Sequence, residues 1–345
     1  MSQETANLYL PAEWHEQEFV QLTWPHEKSD WAYMLQEVEE CFTNLAKAIS
    51  RRGKLLIVTP CEEKTRMTLQ EHGATMENIT FFTCDTNDTW ARDHAFITLL
   101  GDDGPHFLDF CFNGWGKKFE ASLDTAINRK LHDAGIVKGI YHDLNHFVLE
   151  GGSIESDGNG TLLTTTCCLT APNRNTTDKG LLEEELCSML HCERVLWLDH
   201  GELVGDDTDG HIDTLARLTP DDTIVYMQYS EEDSEQYDCL KKMEEQLATF
   251  VTKEGKPYRL LPLPSPAPIY DEEGLRLPAT YANFLIMNGA VLYPTYAQPG
   301  NDAKAAEVLK TAFPNHEIVG IDCRALIKQH GSLHCVTMQY PLNKQ

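Results

Sequence analysis

Apolar residues along this chain fall into two alternating periods. Val38, Cys41, Phe42, Leu45 and Ile49 recur at steps of three and four, the spacing that lines one face of a helix. Arg51-Arg52-Gly53 closes that helix with basic side chains and a glycine, and Lys54-Leu55-Leu56-Ile57-Val58 then reads as a buried strand. The same order returns three times. Helical patterns over 181–190, 239–251 and 303–313 are followed by strand patterns at 194–198, 258–261 and 317–321. Hairpin turns are predicted between them at Asp157-Gly158-Asn159-Gly160 and at Asn288-Gly289. The repeating unit is two strands, a helix and a further strand.

Polar and aromatic segments punctuate this rhythm. From Trp24 the intervals to Asp93, Glu150, His211, Asn283 and Cys335 are 69, 57, 61, 72 and 52 residues, and a fifth of the chain is 69. Such spacing suggests a cyclic repeat whose units each send one loop to a shared centre. The stretch Leu261 to Pro268 (LPLPSPAP) has prolines that forbid a helix and a central strand, so an extended surface loop is expected there. Helix and strand alternate on both sides of it, and residues 1–345 read as a single domain.

Composition removes several function classes. Lys and Arg total 28 against 54 Asp and Glu, a formal net charge of −26. That excess repels nucleic-acid phosphates and anionic membranes and, if anything, favours cations. No apolar run approaches the roughly 20 residues of a spanning helix. The N-terminal MSQETANLYLPAEWHEQEF lacks the basic and apolar regions of a signal peptide. Eleven scattered cysteines without a C-x-x-C pair suit a reducing cytoplasm, and neither Cys167/Cys168 nor Cys187/Cys192 has zinc-finger spacing.

Five places carry candidate chemistry. Cys335 follows a Gly-Ser turn that exposes a thiol to attack or lets it attack, although a buried thiol on the last strand fits the same residues. His334 beside it is expected to point the opposite way, a poor placing for a partner base. His211 and Asp213, two apart on an extended segment, face one side and suit proton transfer beside a cation-binding carboxylate, or metal ligation. Arg92-Asp93 after Trp90 precedes a strand expected over 94–100. Glu150 ends an apolar strand before Gly151-Gly152, a costly place for an unpaired carboxylate. Trp115, framed by glycines, offers a flat wall or a loop anchor. Together these residues describe a pocket for a planar cation attacked by a thiolate, because carboxylates hold a guanidinium by bidentate hydrogen bonds.

The segments TWP (23–25), WARD (90–93), FNGWG (112–116), LEGGSIESDGNGTLLTT (149–165), DDTDGHIDTLARL (206–218), RLPATYANFLIMNG (276–289) and GSLHCVTMQYP (331–341) resemble, in that order, the agmatine deiminase and bacterial-type peptidylarginine deiminase family of the pentein superfamily. The resemblance runs from about residue 8 to 341. It implies an α/β propeller of five ββαβ units around a pseudo-fivefold axis, and an enzyme without metal or organic cofactor. It makes Cys335 the nucleophile and His211 the acid and base. Glu150 would orient His211, with Asp93 and Asp213 clamping the guanidinium. Trp90 and Trp115 become aromatic walls, Asp207 meets a distal ammonium, and Asn283 joins the substrate contacts. By analogy it extends to a homodimer.

Two positions depart from the family. His330 stands where a glycine is usual, and WARD continues with His-Ala-Phe. The implied reaction is agmatine plus water to N-carbamoylputrescine plus ammonia. Deimination of free or peptidyl arginine is the alternative, for which Arg174, Lys117 or Lys118 would meet a substrate carboxylate. An idle guanidino-binding pentein and a metal-dependent hydrolase using His211 and Asp213 complete the set.

Overall fold

The computed structural model describes residues 7–344; the first six residues of the N-terminal stretch and Gln345 lie outside them. Five sheets repeat one pattern, an antiparallel pair followed by a parallel third strand. The first sheet runs Thr337–Pro341, Gln17–Thr23, Lys54–Thr59 and Ile79–Thr83, so the last strand of the chain pairs antiparallel with the first, Val20 opposite Gln339. The second holds Ile97–Gly101, Gly104–Cys111 and Ile140–Val148, and the third Ile154–Ser156, Thr161–Thr165 and Arg194–Leu198. The fourth holds Ala216–Thr219, Thr223–Met227 and Arg259–Leu263, and the fifth Leu285–Met287, Ala290–Thr295 and Glu317–Asp322. In each, a helix links the second strand to the parallel one, as a parallel crossover requires: Leu35–Ser50, Ile127–Asp133, Lys179–Leu190, Tyr237–Leu247 and Pro299–Ala312.

The helical stripe read from the sequence faces inward. Val38, Phe42, Leu45 and Ile49 are fully buried, with Phe42 edge-on to Trp24 at 5.6 Å. Removing each such side chain from water contributes about 1.5–3 kcal/mol. Both predicted hairpin turns join antiparallel strands. Two local expectations change. Strand Arg259–Leu263 runs through Pro262, which an edge strand tolerates because its missing N–H need not face a neighbour. Arg92, Asp93 and His94 form a helical turn, Ala91–His94, and the strand begins only at Ile97. Among the described residues no helix is long and apolar enough to cross a membrane, and all eleven cysteines are free thiols.

This repetition positions the chemistry. Asp93, Glu150, Asp213, Asn283 and Cys335 each lie two to four residues before the first strand of a sheet, one for each of the five. A single topological position therefore delivers five separate polar side chains.

Candidate active site

A cleft with an empty volume of about 450 Å³, including its mouth, leads to Cys335. It is lined by Trp90, Asp93, Trp115 and Cys335 inside, and by Asp30, Asp88, Phe119, Asp207, Thr208 and the 329–331 segment further out. Cys335 sits in the turn before strand Thr337–Pro341, with 5% of its surface exposed. Asn283 holds that turn. Its Oδ1 accepts from the His334 N–H at 2.8 Å and the Cys335 N–H at 3.3 Å, and lies 3.4 Å from Cys335 Sγ. Asn283 was expected among the substrate contacts; its amide instead presents the thiol, and it does not line the cleft.

Asp93, His211 and Asp213 converge around Gly152. A methyl group built there would lie 2.6 Å from His211 Nδ1, 2.9 Å from Asp93 Oδ1 and 3.1 Å from Asp213 Oδ2. Its neighbour Gly151 is equally confined, since a Cβ would meet the Arg92 carbonyl oxygen at 2.2 Å. The paired glycines after Glu150 are thus sterically required, and Gly152 N–H donates to Asp93 Oδ1 at 3.0 Å. His211 Nδ1 is 3.6 Å from the same oxygen. Both His211 ring nitrogens and Asp213 Oδ1 are buried without a protein partner, an unusual and costly state for a packed interior.

Charge is divided unevenly between the two aspartates. Burial pushes the Asp93 carboxyl up to about 6, with Asp213 and Glu150 adding to the rise and His211 and the Trp115 N–H opposing it. Burial also acts to raise Asp213, but the hydrogen bond and charge of His334, with His211 and Arg217, outweigh it and hold Asp213 below the usual carboxylate range. Burial first, then the Asp213 and Asp93 charges, push the Cys335 thiol well above its ordinary value.

The tryptophans do more than wall the cleft. Trp115 Nε1 donates to Asp93 Oδ2 and Trp90 Nε1 to Asp88 Oδ2, both at 2.9 Å, and the two rings meet edge to face at 6.3 Å. Trp115 takes a left-handed φ of 52° to reach that position. His330, the departure from family pattern, has φ 63° and places Nδ1 2.8 Å from the Gly205 carbonyl oxygen at the mouth.

Other expectations are corrected. Arg174 is no rim cation. Its buried guanidinium donates to both Glu150 oxygens at 3.0 and 3.1 Å and to Asp209 Oδ2 at 2.7 Å. Lys118 Nζ is bound to Asp207 and Asp209 at 3.1 and 2.9 Å, so Asp207 already faces a cation; Lys117 is exposed and does not line the cleft. Glu150 is bonded to Arg174 rather than to His211, though their atoms approach within 4.8 Å, together with the Cys168 thiol. The guanidinium at that cluster makes it a poor cation site, and Arg217 does the same for the group Glu13, Glu155 and His334.

Sequence reading missed that last group. His334, expected to point the opposite way from Cys335, meets the same carboxylate: its Nδ1 is 2.7 Å from Asp213 Oδ2, an oxygen 4.0 Å from Cys335 Sγ, and Glu13 Oε2 is 2.8 Å from its other nitrogen. Arg217 binds Glu13, Glu155 and the carbonyl oxygens of Ala282 and Phe284. A charged residue inside the apolar strand Ala216–Thr219, and another in Ile154–Ser156, was the available signal.

Fold and cleft together define an α/β pentein with a thiol set beside paired carboxylates. The chain belongs to the Porphyromonas-type peptidyl-arginine deiminase family, whose model matches residues 9–341. It is 30% identical to the agmatine deiminase of Medicago truncatula, with 96% of each chain covered. Among solved structures it is 38% identical, at a TM-score of 0.90, to a cysteine-to-serine variant of C. jejuni agmatine deiminase with substrate bound, covering 100% of this chain and 99% of that one. It is 51% identical, at a TM-score of 0.90, to a Porphyromonas gingivalis protein provisionally named an arginine deiminase, covering 97% and 98%.

Proposed function

We propose that this enzyme hydrolyses agmatine to N-carbamoylputrescine and ammonia. The observation that carries the substrate is the lining of the cleft: Asp30, Asp88, Asp93 and Asp207, with no lysine or arginine among them. A substrate with a cation at both ends suits that lining. The α-carboxylate of free arginine would enter it unpaired, because Arg174 and Lys118 are already bonded elsewhere. The relatives named for agmatine deimination support the same choice.

In this reading Asp213, through its free Oδ1, and Asp93 receive the guanidinium nitrogens, and the cation supplies the charge that the thiol needs to ionise beside two carboxylates. Cys335 passes its proton to His211 as Sγ attacks the guanidinium carbon, and ammonia leaves with that proton from His211. His211 then takes a proton from water, which attacks the S-alkylthiouronium carbon and releases the thiolate. Glu150, paired with Arg174, supports the imidazole from within 4.8 Å rather than by a hydrogen bond. Trp90 and Trp115 flank the alkyl stem, and the distal ammonium meets the acidic mouth, where it would share Asp207 with Lys118. No organic cofactor or metal enters these steps.

The reading also takes residues 1–345 as one catalytic domain, with its five sheets set around a pseudo-fivefold axis as an α/β propeller. The shared strand pattern and the pairing of the last strand with the first support it. Eleven free thiols suit work in the reducing cytoplasm. The test follows ammonia and ureido product with agmatine, arginine and an arginyl peptide offered separately. Agmatine turnover that survives EDTA and is lost in Cys335→Ala is expected. Rapid peptide turnover with none of agmatine would overturn the reading.

A further inference from the structure

His334 is buried between two carboxylates, Asp213 at Nδ1 and Glu13 at Nε2, 2.7 and 2.8 Å away. Nδ1 and Nε2 are thus both tied down, and the ring has one orientation that serves Asp213. Glu13 acts as an acceptor throughout. Its Oε1 accepts from the Ile286 N–H at 2.7 Å, and its Oε2 receives Arg217 Nη2 at 2.5 Å as well as His334 Nε2. Arg217 Nη2 also lies 3.0 Å from His334 Nε2, so that ring nitrogen is flanked by a guanidinium and a carboxylate. We propose that His334 is the positioning residue for Asp213: anchored between Glu13 and Arg217, it fixes the direction of that carboxylate and keeps it negative, so that Oδ1 stays turned to the incoming guanidinium.

This rests on the reading of the cleft as a guanidinium site and names what makes one of its two carboxylates a permanent anion. The groups facing the pair are Asp93 and Arg92 from the turn Ala91–His94, His211 ahead of Ile212, Arg217 from strand Ala216–Thr219 and Glu155 from Ile154–Ser156. Asp93 titrates near 6 while Asp213 is held below the usual range, so binding of a guanidinium loses one ionised partner on acidification and retains the other.

The experiment measures agmatine affinity by calorimetry between about pH 5 and 8 in Cys335→Ser protein, with and without His334→Asn. Asparagine keeps a donor at the Nδ1 position and loses the link to Glu13. The expected result is affinity lower by about tenfold or more near neutrality, since a charge-assisted contact is lost. The dependence on pH should also steepen from one proton towards two below pH 6, because Asp213 now titrates with Asp93. Equal affinity and an unchanged slope would overturn the proposal, since a merely structural role leaves the slope alone. If His334→Asn fails to fold, Glu13→Gln decides by the same slope: a steeper one supports the assignment and an unchanged one overturns it. A Cys335→Ser parent that binds no agmatine, beside a wild type that releases no ammonia from it, overturns the functional reading and the proposal with it.

Discussion

Two layers of buried charge lie back to back beneath the cleft. The upper one, Asp93, His211, Asp213 and Cys335, leaves both imidazole nitrogens and one carboxylate oxygen without a protein partner. The lower one, Glu13, Glu155, Arg217 and His334, has its charged atoms matched to one another and to main-chain groups. Both are buried, and the residue types overlap. An unmatched buried polar atom costs about 1–3 kcal/mol, so the upper layer has more to gain from a polar ligand than the lower one. Unmatched bonding capacity marks where a ligand completes the structure; matched capacity marks where the protein has completed it already.

That contrast breaks first at its extremes. Cys335→Ala, in the upper layer, is expected to lower turnover by at least about 10³-fold while moving the thermal midpoint by no more than a few degrees. Arg217→Met, in the lower layer, should destabilise the fold by about 3–5 kcal/mol, because it strands Glu13 and Glu155 without their partner. Denaturant unfolding separates the two; a stable Arg217→Met protein would erase the distinction. Gly152→Ala should follow, with kcat/KM down by about 10²-fold or more and a small stability change, since its methyl occupies the space between His211, Asp93 and Asp213.

The pH dependence sharpens the comparison further. Asp93 in the folded protein titrates near 6, above the 3.8 of an unperturbed carboxyl. The native state therefore holds that proton longer than the unfolded chain, and this group's contribution to stability is lost as pH rises from about 4 through 6. Comparing wild type with Asp93→Asn across that window should show the variant's curve flatter by about 1–3 kcal/mol. Activity runs the other way, falling as pH drops through 6 and Asp93 loses its charge. The smallest effect belongs to Trp115→Phe. Without the indole N–H on Oδ2, Asp93 rises further, and the acidic limb of kcat/KM should move upward by about half a unit to one unit.

Much of the architecture was legible in the chain because each unit obeys local rules. The stripe from Val38 to Ile49, the strands after each helix and the Gly-containing hairpin turns appear where periodicity put them. The residues gathered at the cleft were legible too, because glycine-framed or aromatic neighbours set them apart from core positions. Asn283 shared that neighbourhood but serves the turn that carries Cys335, a distinction made only by side-chain direction. Arg174 looked like a free surface cation, and only the fold brings Glu150 and Asp209 to it. Glu13, Glu155, Arg217 and His334 lie far apart along the chain and become a set only when four different loops and strands meet.

Gly152 has one more consequence, for how the site tolerates change. Every residue other than glycine begins with the same carbon, and that carbon already collides with three reacting or binding groups. Alanine, the mildest replacement available, is therefore nearly as disruptive as any larger one. The position offers no graded series of replacements: geometry holds it at a single letter.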